Sequence, residues 1–386
     1  MRHKVHARVL RHWFLFTAAI AFPAAADDAH WIGTWATSAQ PARPGSERSF
    51  HAQTVRLIVH TSAPGKKVRV RLSNLYGDAT LRVGRAFIAL RTQGADIDPA
   101  SNRPLTFAGK TSCTVASRSI IVTDPVELDV PALGDLAISL YFPETALAST
   151  NHSLAKQTNY VSPEGVDATA DSNFPVASTM ATWPFLTGVD VAASARGASI
   201  VAFGSSLTDG DGSTADANRR WPDVLAERIQ KDARLGHELG VLNEGIIGNR
   251  LLNDSPRAEG NPFGPVLGES GMARFERDVL DQPGVRYVFI GLGVNDILFP
   301  GFPFTPANET VTADQIIAGY KRLVARAHKK HVRVIGTTIP PFEGATFKAA
   351  GLDLAFYTDE REKARAAVNQ WIRRAGAFDD IVDFDA

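Results

Sequence analysis

At Gly197 the sequence changes rhythm, and that change decides most of what the chain can fold into. Before it, apolar residues tend to recur at every second position; after it, unbroken apolar runs of strand length alternate with stretches of helical period. Alternation suits half-buried strands, whose successive side chains point to opposite faces, whereas unbroken runs suit strands covered on both faces. The chain therefore reads as an all-β unit followed by an α/β unit, and 386 residues with 44% hydrophobic content suffice for two cores.

In the first half, from about 31 to 191, the runs 54–60 and 67–72 alternate, with Ala63, Pro64 and Gly65 as the turn between them. Further strand-like runs at 81–90, 119–122, 126–130 and 136–142 lie between clusters of glycine, proline, serine and aspartate. No helical period is sustained there, which predicts a β-sandwich or jelly roll. The stretch from about 146 to 187 is polar and shows little periodicity. A connection of that length is often functional, and it is expected to fold back on the second unit.

In the second half, 198–203 is a continuous apolar strand, and 219–233 places Trp221, Val224, Leu225 and Ile229 on one helical face. Residues 240–242 and 285–292 read as further buried strands. Thr312 and Gln315 form a capping-box pattern opening a helix that buries Ile316, Ile317, Tyr320, Leu323, Val324 and Ala327, with a strand at 332–336 after it. A last helix from Asp359 buries Ala364, Val368, Trp371 and Ile372 and stops at Gly376. This alternation implies a mostly parallel sheet with helices on both faces and reactive groups at the carboxyl ends of its strands.

The N-terminus carries basic residues, an apolar run from Trp13 to Phe22 and small residues up to Ala26, the order of a secretory signal peptide. The run is about half of the ~20 residues a membrane span requires. The expected divisions are 1–26 signal peptide, 27–195 β-domain with its connecting segment, and 196–386 α/β domain, in a secreted or periplasmic protein without a membrane span. Basic and acidic residues number 41 each, and removing Arg2, Lys4, Arg8 and Arg11 leaves 37 basic residues against 41 acidic ones. A slightly acidic protein without a basic stripe is not a nucleic-acid binder. Cys113 is the only cysteine, so no intramolecular disulfide can form.

Three segments carry candidate chemistry: Gly204-Ser205-Ser206-Leu207-Thr208-Asp209-Gly210, Gly245-Ile246-Ile247-Gly248-Asn249 and Gly293-Val294-Asn295-Asp296. Serine is a weak nucleophile until a base takes its proton, and the oxyanion formed on an attacked acyl carbon needs donors already in place. Ser206 follows a strand directly and can be the nucleophile; its own N–H, the Gly248 N–H and the Asn295 amide can be the donors. Each segment alone is a common turn, but together, in this order and beside strand ends, they point to acyl transfer.

The ordered set resembles that of the SGNH or GDSL hydrolases, esterases and lipases on a three-layer, flavodoxin-like α/β fold, over roughly Gly197 to the end. Trp31-Ile32-Gly33-Thr34-Trp35-Ala36-Thr37-Ser38-Ala39-Gln40 is similar to the opening of the β-domain in exported members. The resemblance implies Ser206 as nucleophile, with Gly248 and Asn295 as oxyanion donors, and a small acyl ester or acetylated polysaccharide as substrate. Ser205 stands where the pattern has aspartate, which bears on loop bracing more than on catalysis.

The D-x-x-H block that supplies the family's base and its orienting aspartate in its last segment does not follow the Asn295 segment in this sequence, whose end at 381–386 resembles the strand before that block. The expectation is a truncated hydrolase of impaired activity. His3, His6 and His12 fall in the signal segment, His30, His51 and His60 in the β-domain, His237 in a helix-to-strand connection, and His328 and His331 at a helix end. His152, in the polar connection, is expected to be exposed and is the remaining candidate base.

Asp209 and Asp211 read as solvated loop residues, and Arg219, Arg220 and Trp221 as the structural start of a helix. No spacing suggests a metal, and the Gly204–Gly210 turn lacks the lysine of a phosphate loop, so no cofactor is expected. The competing reading is a non-catalytic glycan-binding protein with a degenerate hydrolase domain.

Overall fold

The computed structural model of this chain describes residues 29–386 apart from 236, 237, 257–260, 307 and 350. The expected signal segment at 1–26 and His237 lie outside the described residues.

The first half forms two antiparallel sheets that share one core. One runs in the order His30–Ala36, Leu186–Ala193, Gly65–Ser73, Ile120–Val122, with Val126–Val130 also on Gly65–Ser73. The other runs Ser178–Met180, Asn159–Val161, Gln53–His60, Asp135–Phe142, Arg85–Leu90, Arg103–Pro104. Val68, Val70 and Leu72 of the first sheet meet Val55, Leu57 and Val59 of the second in a single apolar cluster, which makes a sandwich. The Ala63–Gly65 turn thus carries the chain from one sheet to the other instead of closing a hairpin.

Gln53–His60 departs from its alternating pattern, because Thr54 through Val59 are all buried. The covering comes from the polar 146–187 segment and the 95–97 loop. Arg56, fully buried, donates to Ser139 Oγ, Ala95 O, Ala168 O and Asp171 O and lies 4.5 Å over the Phe174 ring. An outward polar side chain is buried here because backbone carbonyls satisfy it, as a buried guanidinium requires.

The second half is a five-stranded parallel sheet in the order Leu239–Gly245, Ala198–Gly204, Val285–Gly291, Arg333–Thr337, Asp380–Val382. In chain order this is 2-1-3-4-5, so the direction of winding reverses between the first and third strands. Trp221–Lys231 covers one face through Ala226 and Ile229, packed on Ile200 and Val241. Ala313–Lys329 and Asp359–Arg374 belong to the other core, with Tyr320, Leu323, Val368 and Ile372. Trp221, Val224 and Leu225 are only half-buried, and Pro222 lies inward in their place. The Thr312–Gln315 capping box is reciprocal, at 3.2 and 2.8 Å. A hairpin of Thr346–Ala349 and Leu352–Ala355 was not legible in the sequence.

The halves meet along two strands. His30–Ala36 runs against Leu239–Gly245, where Gly33 N–H donates to Ser199 Oγ at 2.9 Å and Val241 N–H to Ser62 Oγ at 2.8 Å. A Cβ on Gly240 would lie 1.9 Å from Gly33 O, so the backbones approach as only glycine permits.

Candidate active site

Ser206 opens a one-turn helix, Ser206–Asp209, at the carboxyl end of the Ala198–Gly204 strand, and Gly210 closes that turn at φ 106°. Asn295 lies in the Val294–Leu298 helix, reached from Val285–Gly291 through Gly293 at φ 106°. These are the two strands between which the winding reverses, where crevices open in such sheets. Ser206 is half-buried, and its hydroxyl has no hydrogen-bond partner among the described residues.

Gly248 sits in the turn after Leu239–Gly245 at φ +70°, and a Cβ there would stand 2.8 Å from Leu267 Cδ2. The left-handed backbone favours glycine, and a Cβ there would also press on the Leu267 side chain. The N–H groups of Gly248 and Ser206 donate to no acceptor among the described residues.

Direct hydrogen bonds join the three segments. Asn295 Nδ2 donates to Asn249 O at 2.8 Å, and its second amide hydrogen has no partner among the described residues. Asp296 accepts from Leu251 N at 2.6 Å and Leu252 N at 2.9 Å, and burial pushes its carboxyl up to about 6. On the other side, Ile246 N donates to Gly204 O at 3.2 Å, Ile247 N to Asp209 Oδ2 at 2.7 Å, and Asn243 Nδ2 to Thr208 O at 2.8 Å. The Gly248 turn is therefore clamped between the Ser206 turn and the Asn295 helix.

Arg274 is the residue that sequence reasoning missed. Its fully buried guanidinium donates to Asn249 Oδ1 at 3.1 Å, Glu244 O at 2.8 Å, Gly204 O at 3.0 Å, Ser38 Oγ at 2.8 Å and Asp278 Oδ2 at 3.1 Å. It thus bridges the ends of two strands, the Gly248 turn and the β-domain. Its partner Asp278 is buried, yet Arg277 and Arg274 hold it below the usual carboxylate range. Glu244, which accepts from Ser38 Oγ at 2.6 Å and Gln282 Nε2 at 2.8 Å, is pushed up to about 8 by burial and by Asp278. The only sequence signal for Arg274 was a charged residue on a short segment rich in small and apolar side chains.

Two expectations are overturned. Asp209 is not a solvated loop residue but is 1% exposed, and His152 is not exposed but is 2% exposed. His152 Nδ1 meets Ser38 O at 2.9 Å and Nε2 meets Asp209 Oδ1 at 3.0 Å, so neither ring nitrogen is left to take a proton from Ser206. The 146–187 segment does fold back on the second half, and it spends its histidine there. Asp211 is exposed, as expected. Arg219 is exposed, whereas Arg220 is buried against Asp223 at 2.9 Å at the helix start.

The other described histidines are also placed elsewhere. His30 faces Gly197 O, His60 pairs with Asp135, His51 faces Thr145, His328 pairs with Asp379 just before the amino end of the last strand, and His331 is exposed after the Ala313–Lys329 helix. Cys113 is half-buried, and burial pushes its thiol up to about 11.

A mostly apolar cavity of about 390 Å³ adjoins the Ser206 turn, lined by Ser205, Leu207, Trp221, Leu292, Thr337 and Ile339. Ser205 and Leu207 flank Ser206, and the Ser205 hydroxyl is buried without a partner among the described residues. A second cavity, of about 550 Å³, lies where Pro41 and Tyr76 of the β-domain face Ser255, Gly268 and Glu269. Neither lining includes Ser206, Gly248 or Asn295 itself. Among the described residues no cluster of three or more His, Cys, Asp or Glu is placed to hold a metal, and no helix is long and apolar enough to cross a membrane.

Residues 202–386 match the GDSL-like Lipase/Acylhydrolase family. No curated protein matches the chain. Among solved structures, an SGNH-hydrolase family esterase is 16% identical over 49% of this chain and 77% of its own, with a TM-score of 0.33. An acetyl xylan esterase is 17% identical over 48% and 77%, at 0.32. A psychrotrophic esterase from a Pseudoalteromonas species is 15% identical over 48% and 76%, at 0.32.

Proposed function

With residues 202–386 forming a GDSL-like lipase/acylhydrolase domain, we propose that the protein is a serine carboxylester hydrolase acting on small acyl esters, with acetyl groups on polysaccharide as one substrate class. Ser206 Oγ attacks the acyl carbon, and the oxyanion is held by the N–H groups of Ser206 and Gly248 and by the second hydrogen of the Asn295 amide. Its collapse breaks the ester C–O bond, and the alcohol leaves with the proton given up by the serine. Water then attacks the acyl-serine, breaking the Oγ–C bond, releasing the carboxylic acid and restoring the Ser206 hydroxyl. The observation that carries this reading is the hydrogen-bonded clamp on the Gly248 turn, because oxyanion donors act only if they are fixed before charge develops.

A serine needs a base, and no described histidine is free beside Ser206. These 386 residues on their own are therefore expected to turn esters over slowly, near the ~10³- to 10⁴-fold acceleration that remains when a triad member is removed. The same observation favours a second reading, a glycan-binding protein with a degenerate hydrolase half. Fluorophosphonate labelling that is lost in Ser206→Ala, together with hydrolysis across a panel of p-nitrophenyl esters and acetylated xylan, supports the enzyme. Glycan binding with no labelling supports the second reading.

We also propose export through the 1–26 segment. Intact Met1 at the N-terminus of the protein recovered from its native host would refute it.

A further inference from the structure

We infer that His152, which belongs to the β-domain, is a positioning residue for the oxyanion turn of the α/β half. The inference rests on the hydrolase reading above. The path is short, and buried as far as the Asp209 carboxylate. Ser38 O can only accept, so His152 Nδ1 carries a hydrogen, and the remaining ring nitrogen meets Asp209 Oδ1 at 3.0 Å. The other oxygen of the same carboxylate accepts from Ile247 N at 2.7 Å, one residue before Gly248. Asp209 also belongs to the turn that Ser206 opens, so one carboxylate fixes the nucleophile's turn to the donor's turn, and His152 fixes the carboxylate.

His152 is itself rigid. Its backbone N–H and C=O pair with Trp183 O and Trp183 N at 3.0 and 3.1 Å, and its ring lies 5.8 Å from the Trp183 ring. Trp183 in turn donates to Ile58 O at 2.9 Å, inside the sandwich. A support reaching from a β-sheet through a histidine to a donor turn restricts the freedom of the Gly248 N–H, which a catalytic group requires of its surroundings. Removing the ring leaves Asp209 Oδ1 buried without a partner, and the carboxylate can then move and take Ile247 with it.

The test uses the full chain and three variants, His152→Ala, His152→Asn and His152→Gln. Glutamine places an amide donor close to the position of Nε2 and so keeps the bond to Asp209; asparagine is too short to do so. Three quantities are read: the second-order rate of fluorophosphonate labelling at Ser206, kcat and KM for p-nitrophenyl acetate, and hydrogen exchange at Ile247. Displacing a donor costs less than deleting one, so labelling and kcat are expected to fall ~10- to 100-fold in the alanine and asparagine variants, with KM within about 2-fold. His152→Gln recovers most of that loss, and Ile247 exchange accelerates in the alanine and asparagine variants but not in His152→Gln.

Equal loss in the glutamine and alanine variants overturns the inference, since the histidine would then serve only the packing of the fold. Unchanged labelling in His152→Ala overturns it as well, with the hydrolase reading intact. Wild-type protein that neither labels nor hydrolyses overturns the hydrolase reading and this inference with it.

Discussion

Arg274→Met separates a buried structural anchor from a decorative one. Methionine keeps an unbranched apolar stem of similar reach and removes the guanidinium, so the cavity left behind is small. What is lost is electrostatic: Asn249 Oδ1, Glu244 O and Gly204 O each lose a donor, and Asp278 keeps only Arg277, at 2.7 Å. Breaking one partner out of a buried ion pair costs about 3–5 kcal/mol. Each orphaned acceptor adds up to ~1–3 kcal/mol if no water reaches it. Those terms overlap, because the same relaxation relieves both, so the expected loss is about 3–5 kcal/mol. Urea unfolding followed by tryptophan fluorescence reads the loss from the midpoint and slope. Fluorophosphonate labelling of the protein still folded reads whether the Gly204 and Asn249 ends have drifted apart. A loss below about 1 kcal/mol, the range of an exposed pair, would refute the reasoning.

Gly248→Ala forces a Cβ into a left-handed turn 2.8 Å from Leu267 Cδ2; the backbone term alone costs about 1–2 kcal/mol, and Ser206 labelling should fall while far-UV circular dichroism stays unchanged. Asn295→Ala removes both the bond to Asn249 O and the proposed donor, so kcat for p-nitrophenyl acetate is expected to drop ~10²- to 10³-fold, and an unchanged kcat removes Asn295 from the site. Burial and Asp278 push the Glu244 carboxyl up to about 8, well above the ordinary carboxylate range; the folded state then holds the proton more tightly, so this contribution to stability is full below about pH 4.5 and is lost as pH rises through about 8. Thermal midpoints measured from pH 5 to 8 should therefore fall in the wild type and flatten in Glu244→Gln; equal slopes in the two proteins would show that Glu244 is not the group responsible.

The parallel sheet was legible because its signals are local. The 198–203 run, the Thr312–Gln315 cap and the Gly376 stop are each written within a few residues, and each appears in the structure within a residue or two of its expected place. The alternation of 67–72 was equally readable. The alternation of 54–60 misled because the outer face of that strand is covered by a segment about a hundred residues downstream, whose carbonyls satisfy Arg56. Periodicity reports which residues are apolar; it does not report whether a polar one finds buried partners.

The same limit hid the bracing of the candidate site. His152 and Asp209 are 57 residues apart, and Arg274 and Ser38 are 236 apart. Neither pairing leaves a spacing to read, and a histidine in a polar stretch or an arginine on a short helix has an ordinary solvated explanation. Ser206, Gly248 and Asn295 could be named because each sits in a turn beside a strand end, where the local sequence of glycines marks unusual backbone.

The seam at Gly33 and Gly240 has a practical corollary. With a carbonyl oxygen 1.9 Å from where a side chain would begin, the smallest substituent at position 240 wedges the two halves apart. The α/β half is consequently not a cassette to be grafted onto another scaffold. Laboratory evolution or crystallisation trials that excise it would start from a molecule with an open flank, its Ser199 and Val241 polar groups bare to water.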